Sequence, residues 1–378
     1  MNNPIGALVG EDEGLTHQIA DTFSVVNTSD LSWTEKVCAM AAARDGSAQL
    51  GFGLGRYPNR NVMDGYAGVS RGVEQLTVRA SRRLSPTPSL TVVGPIRYEI
   101  VEPLRKVRFA LEASDCQPVS FEWEFEAAVP AQLEDRVHTR TGYRVASDLV
   151  RYHQTGVASG WMEVDGVRTV ISPDTWVSTR DHSWGVRSPA VGQPVTDLEP
   201  SDMLAGVDFQ MIWCPVLMQR ADGSRYALHF HYQIFEAPGF LHKRVEGGIE
   251  HADGRRERFV DLVPSFTFDP ANRRLRGGRI VAAVSGGQTR TYELEAVSDT
   301  GFHLGAGLYF GFDGHHHGEW RGKLHVDGER IADCADPATA RRLHQLRDTV
   351  VHVTEVGGSD EGWGNCQPMM TGGDDSFI

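Results

Sequence analysis

The sequence SGWMEVDG, residues 159–166, predicts a β-strand followed by a tight turn. Residues 159–164 include a tryptophan and a valine, which favour strands, and Asp165-Gly166 is a dipeptide that favours a two-residue hairpin turn. A related element, GEWRGKLHVDG at 318–328, ends on a second Asp-Gly pair. The two matches predict β-hairpins in both halves of the chain and hint at a repeated β unit.

Strand-like segments extend outward from this hairpin through most of the sequence. They alternate or are rich in β-branched and aromatic residues, and turn residues bound them. Further examples lie at 90–93, 97–101, 107–111, 119–127, 225–235, 279–284, 289–296 and 321–326. One convincing helix starts at Asp336-Pro337, an N-cap followed by proline, and continues through Leu346. The pattern predicts an all-β protein with a short C-terminal helix, built as barrels or sandwiches.

The composition excludes several classes of function. The 378 residues carry 37 Lys and Arg against 50 Asp and Glu, a formal net charge of −13, which argues against nucleic acid and anionic membranes as partners. No run of about 18 apolar residues occurs, so no transmembrane segment is expected. The N-terminus lacks the pattern of a secretory signal, and the five cysteines form no Cys-x-x-Cys pair. We therefore expect free thiols and a cytoplasmic location.

The seam between two domains is predicted at 188–201, SPAVGQPVTDLEPS, because this stretch is rich in proline, glycine and serine. The predicted organisation is an N-terminal β domain over 1–190 and a C-terminal β domain over 191–356. Residues 357–378 show little periodicity, which predicts a loosely attached tail.

The segment RDHSWGVR, residues 180–187, is the strongest candidate for chemistry because it is too polar for an ordinary half-buried strand. If it is extended, Arg180, His182 and Trp184 face one side and Asp181 faces the other. Asp181 among aromatic walls would have a raised pKa and would suit proton donation. The alternative is a structural ion pair between Asp181 and an arginine, Arg180 or Arg187.

This segment, preceded by the GWMEVDG hairpin, resembles the D-H-x-W-G block of the hydroxyneurosporene synthase (carotenoid 1,2-hydratase) and AttH-like superfamily. Segments 94–112, 119–131 and 314–322 resemble other blocks of that superfamily more loosely. The resemblance implies two lipocalin-like, calycin-type antiparallel β-barrel domains with an apolar cavity near their junction. It also implies that Asp181 corresponds to the proposed proton donor of the hydratases and Trp184 to the tryptophan of the block. Thr179 stands where the hydratases have a tyrosine.

Other side chains are candidates for substrate binding or for the protein core. The tryptophans could line an apolar cavity, and alternate histidines on one strand point to the same side. His229 and His231 could share a metal, although no second half of a cupin-like motif follows, and we expect no metal site. The candidates for substrate contact are Trp161, Trp176, Trp213, His229, His231, His317 and Trp320.

Together these features predict a cofactor-independent hydratase, dehydratase or isomerase acting on an apolar isoprenoid, steroid or polyketide-like molecule. Asp181 would protonate the substrate, His182 would tune and reload it, and Trp184 would stabilise a cation. Arg187 would fix Asp181 or a polar end of the substrate. Two alternatives remain open: a non-catalytic binding protein for a hydrophobic ligand, and a metal-dependent β-barrel enzyme that uses His229 and His231.

Overall fold

The computed structural model describes residues 8–15, 17–188, 191–193, 195, 197–198, 206–344 and 346–371. Within these ranges the chain forms antiparallel strands and one short helix, so the predicted all-β class is confirmed. No helix in the described ranges is long and apolar enough to cross a membrane. Residue 190, the predicted domain boundary, and residues 372–378 of the predicted tail lie outside the described residues.

The first half of the chain forms one large antiparallel sheet. Its strands are β1 (Trp33–Ala43), β2 (Gln49–Tyr57), β3 (Val62–Arg71), β4 (Glu74–Arg83), β5 (Val92–Val93), β6 (Ile96–Glu102), β7 (Lys106–Leu111), β8 (Val119–Ala127), β9 (Gln132–Leu133), β10 (Val137–Thr141), β11 (Arg144–Val164), β12 (Val167–Ile171) and β13 (Trp176–Arg187). The spatial order is β4-β3-β2-β1-β13-β11-β8-β7-β6-β5, and β9, β10 and β12 pair with β11.

The second half forms a closed antiparallel barrel. Its elements are β14 (Asp208–Gln219), β15 (Arg225–Ala237), β16 (Phe240–His251), β17 (Arg256–Phe268), β18 (Leu275–Val284), β19 (Thr289–His303), β20 (Leu324–Ile331), α1 (Pro337–Arg342), β21 (Arg347–Glu355) and β22 (Glu361–Thr371). The barrel comprises β14 to β19 with β21 and β22, and β22 closes it against β14. β20 instead pairs with β4 at the edge of the first sheet.

Each half buries its own apolar core. Phe52, Phe109 and Trp123 are fully buried inside the curved first sheet, with ring centroids 4.9–6.3 Å apart. Phe230 and Tyr292 occupy the interior of the barrel, 5.3 Å apart. Two further buried clusters combine apolar side chains from both halves, and the halves pack together through them.

One predicted hairpin turn and the start of the predicted helix are present in the structure. Asp165 and Gly166 adopt positive φ angles of 53° and 77° between paired Val164 and Val167, as a type I′ hairpin turn requires. The Asp336 side chain accepts a hydrogen bond from the Thr339 backbone N–H, which confirms the N-cap. The helix ends at Arg342, earlier than predicted.

Three predictions made from the second half are wrong. Asp327-Gly328 forms no turn but lies inside β20, where a Cβ at Gly328 would be 2.6 Å from the Thr77 carbonyl oxygen. Residues 324–331 therefore belong to the first sheet and not to the predicted C-terminal domain. Residues 361–371 are not a tail but the strand β22. The glycines of β22 interrupt the alternation of apolar and polar residues that would indicate a strand. They also allow β22 to approach β14 closely, since a Cβ at Gly364 would be 2.1 Å from the Pro215 carbonyl oxygen.

Candidate functional site

A cavity of about 280 Å³ lies between the outer face of the first sheet and the outer face of the barrel. Apolar side chains from both halves form much of its wall, among them Met40 and Leu149 from the first sheet and Met211 and Met369 from the barrel. The carboxyl-bearing residue Asp181 is part of the same wall. The cavity wall therefore combines apolar side chains with several charged and polar ones.

The alternation of strand β13 decides which of its side chains face the barrel. Thr179 donates from Oγ1 to Asn365 Oδ1 on β22 at 2.6 Å, so this face of the strand meets the barrel. Arg180 points the opposite way and donates to Gln154 Oε1 at 3.0 and 2.6 Å. Asp181, directly opposite Cys38 on β1, returns to the barrel side and to the cavity.

Asp181 has no ion pair within 4.0 Å and no side-chain hydrogen bond among the described residues. Burial therefore raises the pKa of its carboxyl group, although Arg151 and Arg187 act in the opposite direction. The expected alternative, a direct ion pair between Asp181 and an arginine, is not formed. A carboxyl group in this state can hold a proton at a higher pH than an exposed aspartate and can donate it into the cavity.

Asp348, on β21, is a second carboxyl group in the cavity wall, and its side chain was not a candidate from the sequence. Asn365 Nδ2 donates to its Oδ1 at 2.5 Å. The residue is 3% exposed, and burial raises the pKa of its carboxyl group to about 7. Asp348 lies more than 160 positions from Asp181 in the sequence, so no local motif could have indicated it. Hydrogen bonds through Asn365 link it to Thr179, two residues before Asp181.

Arg187 lines the cavity with no ion pair among the described residues. It is close enough to influence the pKa values of Asp181, Lys36 and Tyr309. A guanidinium group in this wall can bind the polar end of a ligand. Arg187 is therefore placed as expected for a contact to substrate.

His182 and Trp184 lie on the opposite face of β13 from Asp181, away from the cavity. His182 Nε2 donates to Glu35 Oε1 at 3.0 Å, and its Nδ1 is hydrogen-bonded to the Tyr152 hydroxyl at 3.3 Å. The Trp184 ring packs edge-on against His182 and Tyr152. The structure does not bring His182 or Trp184 to the Asp181 carboxylate, because neighbours on a strand point to opposite faces.

The other candidates fall into three groups. Trp213 and His231 line the cavity. His229 and His317 are buried beside it, His229 stacked on His153 with ring centroids 3.6 Å apart. The remaining three are elsewhere, which corrects the expectation that they contact substrate: Trp176 lies in the core of the first sheet, Trp161 packs under Arg168, and Trp320 is half exposed.

A buried chain of polar groups lies behind the cavity and joins the sequence candidate His317 to Lys36 and Asp64, which the sequence does not indicate. Lys36, 4% exposed, donates from Nζ to His317 Nε2 at 2.8 Å, and Nδ1 of His317 lies 3.5 Å from Asp64 Oδ2. Burial lowers the pKa of Lys36 and, together with Lys36, lowers that of His317 to about 4. The ammonium group lies 4.1 Å from the centroid of the Tyr309 ring, which forms part of the cavity wall.

Groups that could hold a metal occur at one edge of the cavity. Glu134 is shared by two of them, one with His153 and His229 and the other with His231 and Glu246. All five residues are buried. As expected from their alternation on β15, His229 and His231 point to the same side of the strand, toward the first sheet.

A family model described as "Family of unknown function (DUF8625)" matches residues 10–372. The chain belongs to this family. Among curated proteins, no match to the sequence is found. The fold of the DUF8625 chain is also similar to those of several solved structures.

A protein of Nitrosomonas europaea described as a putative AttH (NE1406) has a similar structure, with a TM-score of 0.50 and 12% identity over 89% of this chain and 91% of that one. This likeness confirms the predicted double lipocalin-like fold of the DUF8625 chain. Kievitone hydratase from Nectria haematococca matches with a TM-score of 0.39 and 10% identity over 92% of both chains. CghA with Sch210972 matches with a TM-score of 0.42 and 12% identity over 89% and 88%.

Proposed function

We propose that the protein is an acid catalyst that adds water to, removes water from, or isomerises an apolar isoprenoid, steroid or polyketide-like molecule bound between the two halves. The observation that carries the proposal is the Asp181 carboxyl group, which lines the interface cavity without an ion pair. The cavity volume of about 280 Å³ lies just below the usual range of ligand pockets, ~300–1000 Å³. This size favours a small molecule over a full-length carotenoid.

In the proposed hydration, the Asp181 acid transfers its proton to one carbon of an isolated double bond, and the other carbon becomes cationic. The aromatic faces of Trp213 and Tyr309 in the cavity wall stabilise that charge. Water then adds to the cation, and the oxonium proton returns to the Asp181 carboxylate, directly or by way of Asp348, so the acid is restored. The net change is alkene plus water to alcohol, and the reverse sequence is dehydration. Loss of a carbon-bound proton in place of water addition gives the isomer.

A plain carrier for an apolar ligand is less well supported by the same wall. A carrier needs only apolar lining, and two carboxyl groups in a poorly solvated space reduce stability without improving apolar binding. Asp181 and Asp348 both line the cavity, and burial raises the pKa of both. Groups with raised pKa values in a cleft are typical of catalytic sites.

The test is turnover of a panel of alkenes and tertiary alcohols in D₂O, followed by mass spectrometry. The wild-type protein is expected to incorporate deuterium at carbon, and Asp181→Asn is expected to lower turnover by about 10²–10⁴-fold. Asp148→Asn is the matched control: this carboxylate is on the neighbouring strand β11 and is paired with Arg136. Full activity in Asp181→Asn would refute the proposed mechanism.

A further inference from the structure

A second polar centre adjoins the cavity where Glu134, His231 and Glu246 meet. Glu134 follows β9 in the first half, whereas His231 is on β15 and Glu246 on β16 of the barrel. The three side chains are each 3% exposed. Glu134 and His231 also line the cavity. The cluster therefore bridges the two halves and has one side open to the proposed substrate space.

The facing atoms of His231 and Glu246 are close but do not form a hydrogen bond. His231 Nδ1 lies 3.2 Å from Glu246 Oε2 and 3.6 Å from Glu134 Oε2. His231 Nδ1 and Glu246 Oε2 are both buried and have no hydrogen-bond partner among the described residues. Their 3.2 Å contact is an ion pair only if His231 is protonated. Leaving such atoms without a hydrogen bond in a dry interior is costly, so their convergence on one point requires an explanation.

The spacing matches the ligand shell of a metal ion. Zinc binds histidine nitrogen at ~2.0–2.1 Å and carboxylate oxygen at ~2.0–2.2 Å with tetrahedral geometry, which separates neighbouring ligand atoms by roughly 3.4 Å. The two distances from His231 Nδ1, 3.2 and 3.6 Å, lie on either side of that value. Mixed imidazole and carboxylate ligands suit divalent transition metals.

We propose that Glu134, His231 and Glu246 bind one divalent transition-metal ion, such as Zn²⁺, which joins the two halves of the protein. The fourth coordination position faces the cavity, because two of the three ligands line it. A water molecule or a polar atom of a bound ligand can occupy that position. Metal binding at this site does not depend on the proton transfer proposed for Asp181.

The neighbouring group of Glu134, His153 and His229 is a poorer candidate. Both ring nitrogens of His153 already hydrogen-bond, to Glu134 Oε1 at 3.0 Å and to Glu250 Oε1 at 2.8 Å. Because both nitrogens are engaged by carboxylates, His153 serves as a bridge between Glu134 and Glu250 and offers no free nitrogen to a metal.

Arginines hold the two carboxylate ligands in place. Arg151 donates to Glu134 Oε2 at 2.8 and 2.5 Å, and Arg244 contacts Glu246 Oε1 at 3.0 Å. The second oxygen of Glu246 remains directed at His231. Hydrogen-bonded partners behind metal ligands are usual and fix ligand orientation. Because the arginines also offset the negative charge, we expect affinity weaker than that of structural zinc sites.

The experiment measures metal content and binding on the full-length protein after treatment with a chelator. Titration with Zn²⁺ is expected to saturate at one ion per chain and to raise the melting temperature, since a ligand that binds only the folded state stabilises it. Co²⁺ in place of Zn²⁺ is expected to give the visible spectrum of nitrogen and oxygen ligation. Absence of saturable Zn²⁺ and Co²⁺ binding to the folded protein would overturn the proposal.

Glu246→Gln and Glu250→Gln form a matched pair, because both are buried glutamates on β16. Glu246→Gln is expected to weaken Zn²⁺ binding by more than ~10-fold, and Glu250→Gln is expected to leave it within a few fold. The opposite ranking would assign the metal to the other group and refute this site. Asp181→Asn should retain metal binding, so failure of the proposed catalysis and failure of the metal site are separable outcomes.

Discussion

The ring of Phe302, on β19 of the barrel, lies directly against the backbone of Gly51, on β2 of the first sheet. A Cβ atom at residue 51 would be 2.5 Å from Phe302 Cδ1, and two further ring atoms would be within 2.8 Å. Phe302 is fully buried among Met40, Tyr66 and Leu304. The absence of a side chain at Gly51 thus allows the two halves to approach closely beside the cavity.

Gly51→Ala is expected to destabilise the protein by about 1–3 kcal/mol, because the added methyl group overpacks a filled interface. Denaturant unfolding measures the loss. Gly10→Ala is the control, since a Cβ there meets no atom within 4 Å, and its effect should stay within about 0.5 kcal/mol. In a Phe302→Ala background the cost of Gly51→Ala should largely disappear, and an undiminished cost would show that the ring is not the cause.

Asp181→Asn is expected to leave the melting temperature unchanged or to raise it. The reason is that the Asp181 carboxylate is disfavoured by burial and forms no ion pair among the described residues, so the neutral amide removes a cost and breaks no contact. Differential scanning calorimetry at neutral pH gives the answer. A fall of several degrees would instead assign Asp181 a structural role and favour a binding protein.

Arg187→Gln is expected to raise KM about 10–100-fold for a substrate with a carboxylate or other polar oxygen, while kcat changes much less. A charge-assisted hydrogen bond contributes ~1.5–3 kcal/mol, and loss of binding shared by ground and transition states appears in KM. Arg187→Lys should recover part of the loss. Arg136→Gln, an exposed arginine paired with Asp148, is the control. Equal effects of both glutamine variants would contradict a substrate contact by Arg187.

Asp348 should make stability decrease with rising pH between about 4 and 7. Burial raises the pKa of its carboxyl group to about 7 in the folded protein, above the value of 3.8 for an unperturbed aspartate. The folded state therefore binds more protons than the unfolded state in this range, so its contribution to unfolding free energy falls by up to ~1.4 kcal/mol per pH unit.

The measurement is the difference in unfolding free energy between the wild-type protein and Asp348→Asn across that pH range. Asparagine keeps the oxygen that accepts from Asn365, so the fold should persist. The variant is expected to gain stability relative to the wild type as pH rises. A difference that is constant with pH would show that Asp348 does not titrate in this window.

The fold class could be predicted because strand alternation and Asp-Gly turns are local signals. Asp165-Gly166 has the positive φ angles that its sequence indicates. Asp327-Gly328 has the same letters but lies in an edge strand, since pairing with β4 outweighs the turn preference. The sequence does not indicate β22, because Gly362 and Gly364 allow its backbone to pack closely on β14 and interrupt the apolar pattern.

The site could be predicted only where chemistry is concentrated in one segment. Asp181 faces the cavity, on the opposite side of the strand from His182 and Trp184, and its role as proton donor stays a prediction. His182 and Trp184 are its neighbours in sequence but not in space. Lys36 and Glu134 come near Asp181 through strand pairing within the first sheet, whereas Asp348 is brought there by the packing of the two halves.

The pairing of β20 with β4 has a consequence for synthesis on the ribosome. Residues 324–331 are synthesised long after the sheet whose edge they cover. Until then, the outer backbone groups of β4 in the nascent first half have no strand to pair with. Such an open edge is a template for pairing with another chain. A fragment that ends before residue 324 would therefore be prone to self-association, and the first sheet cannot be completed until most of the second half has been made.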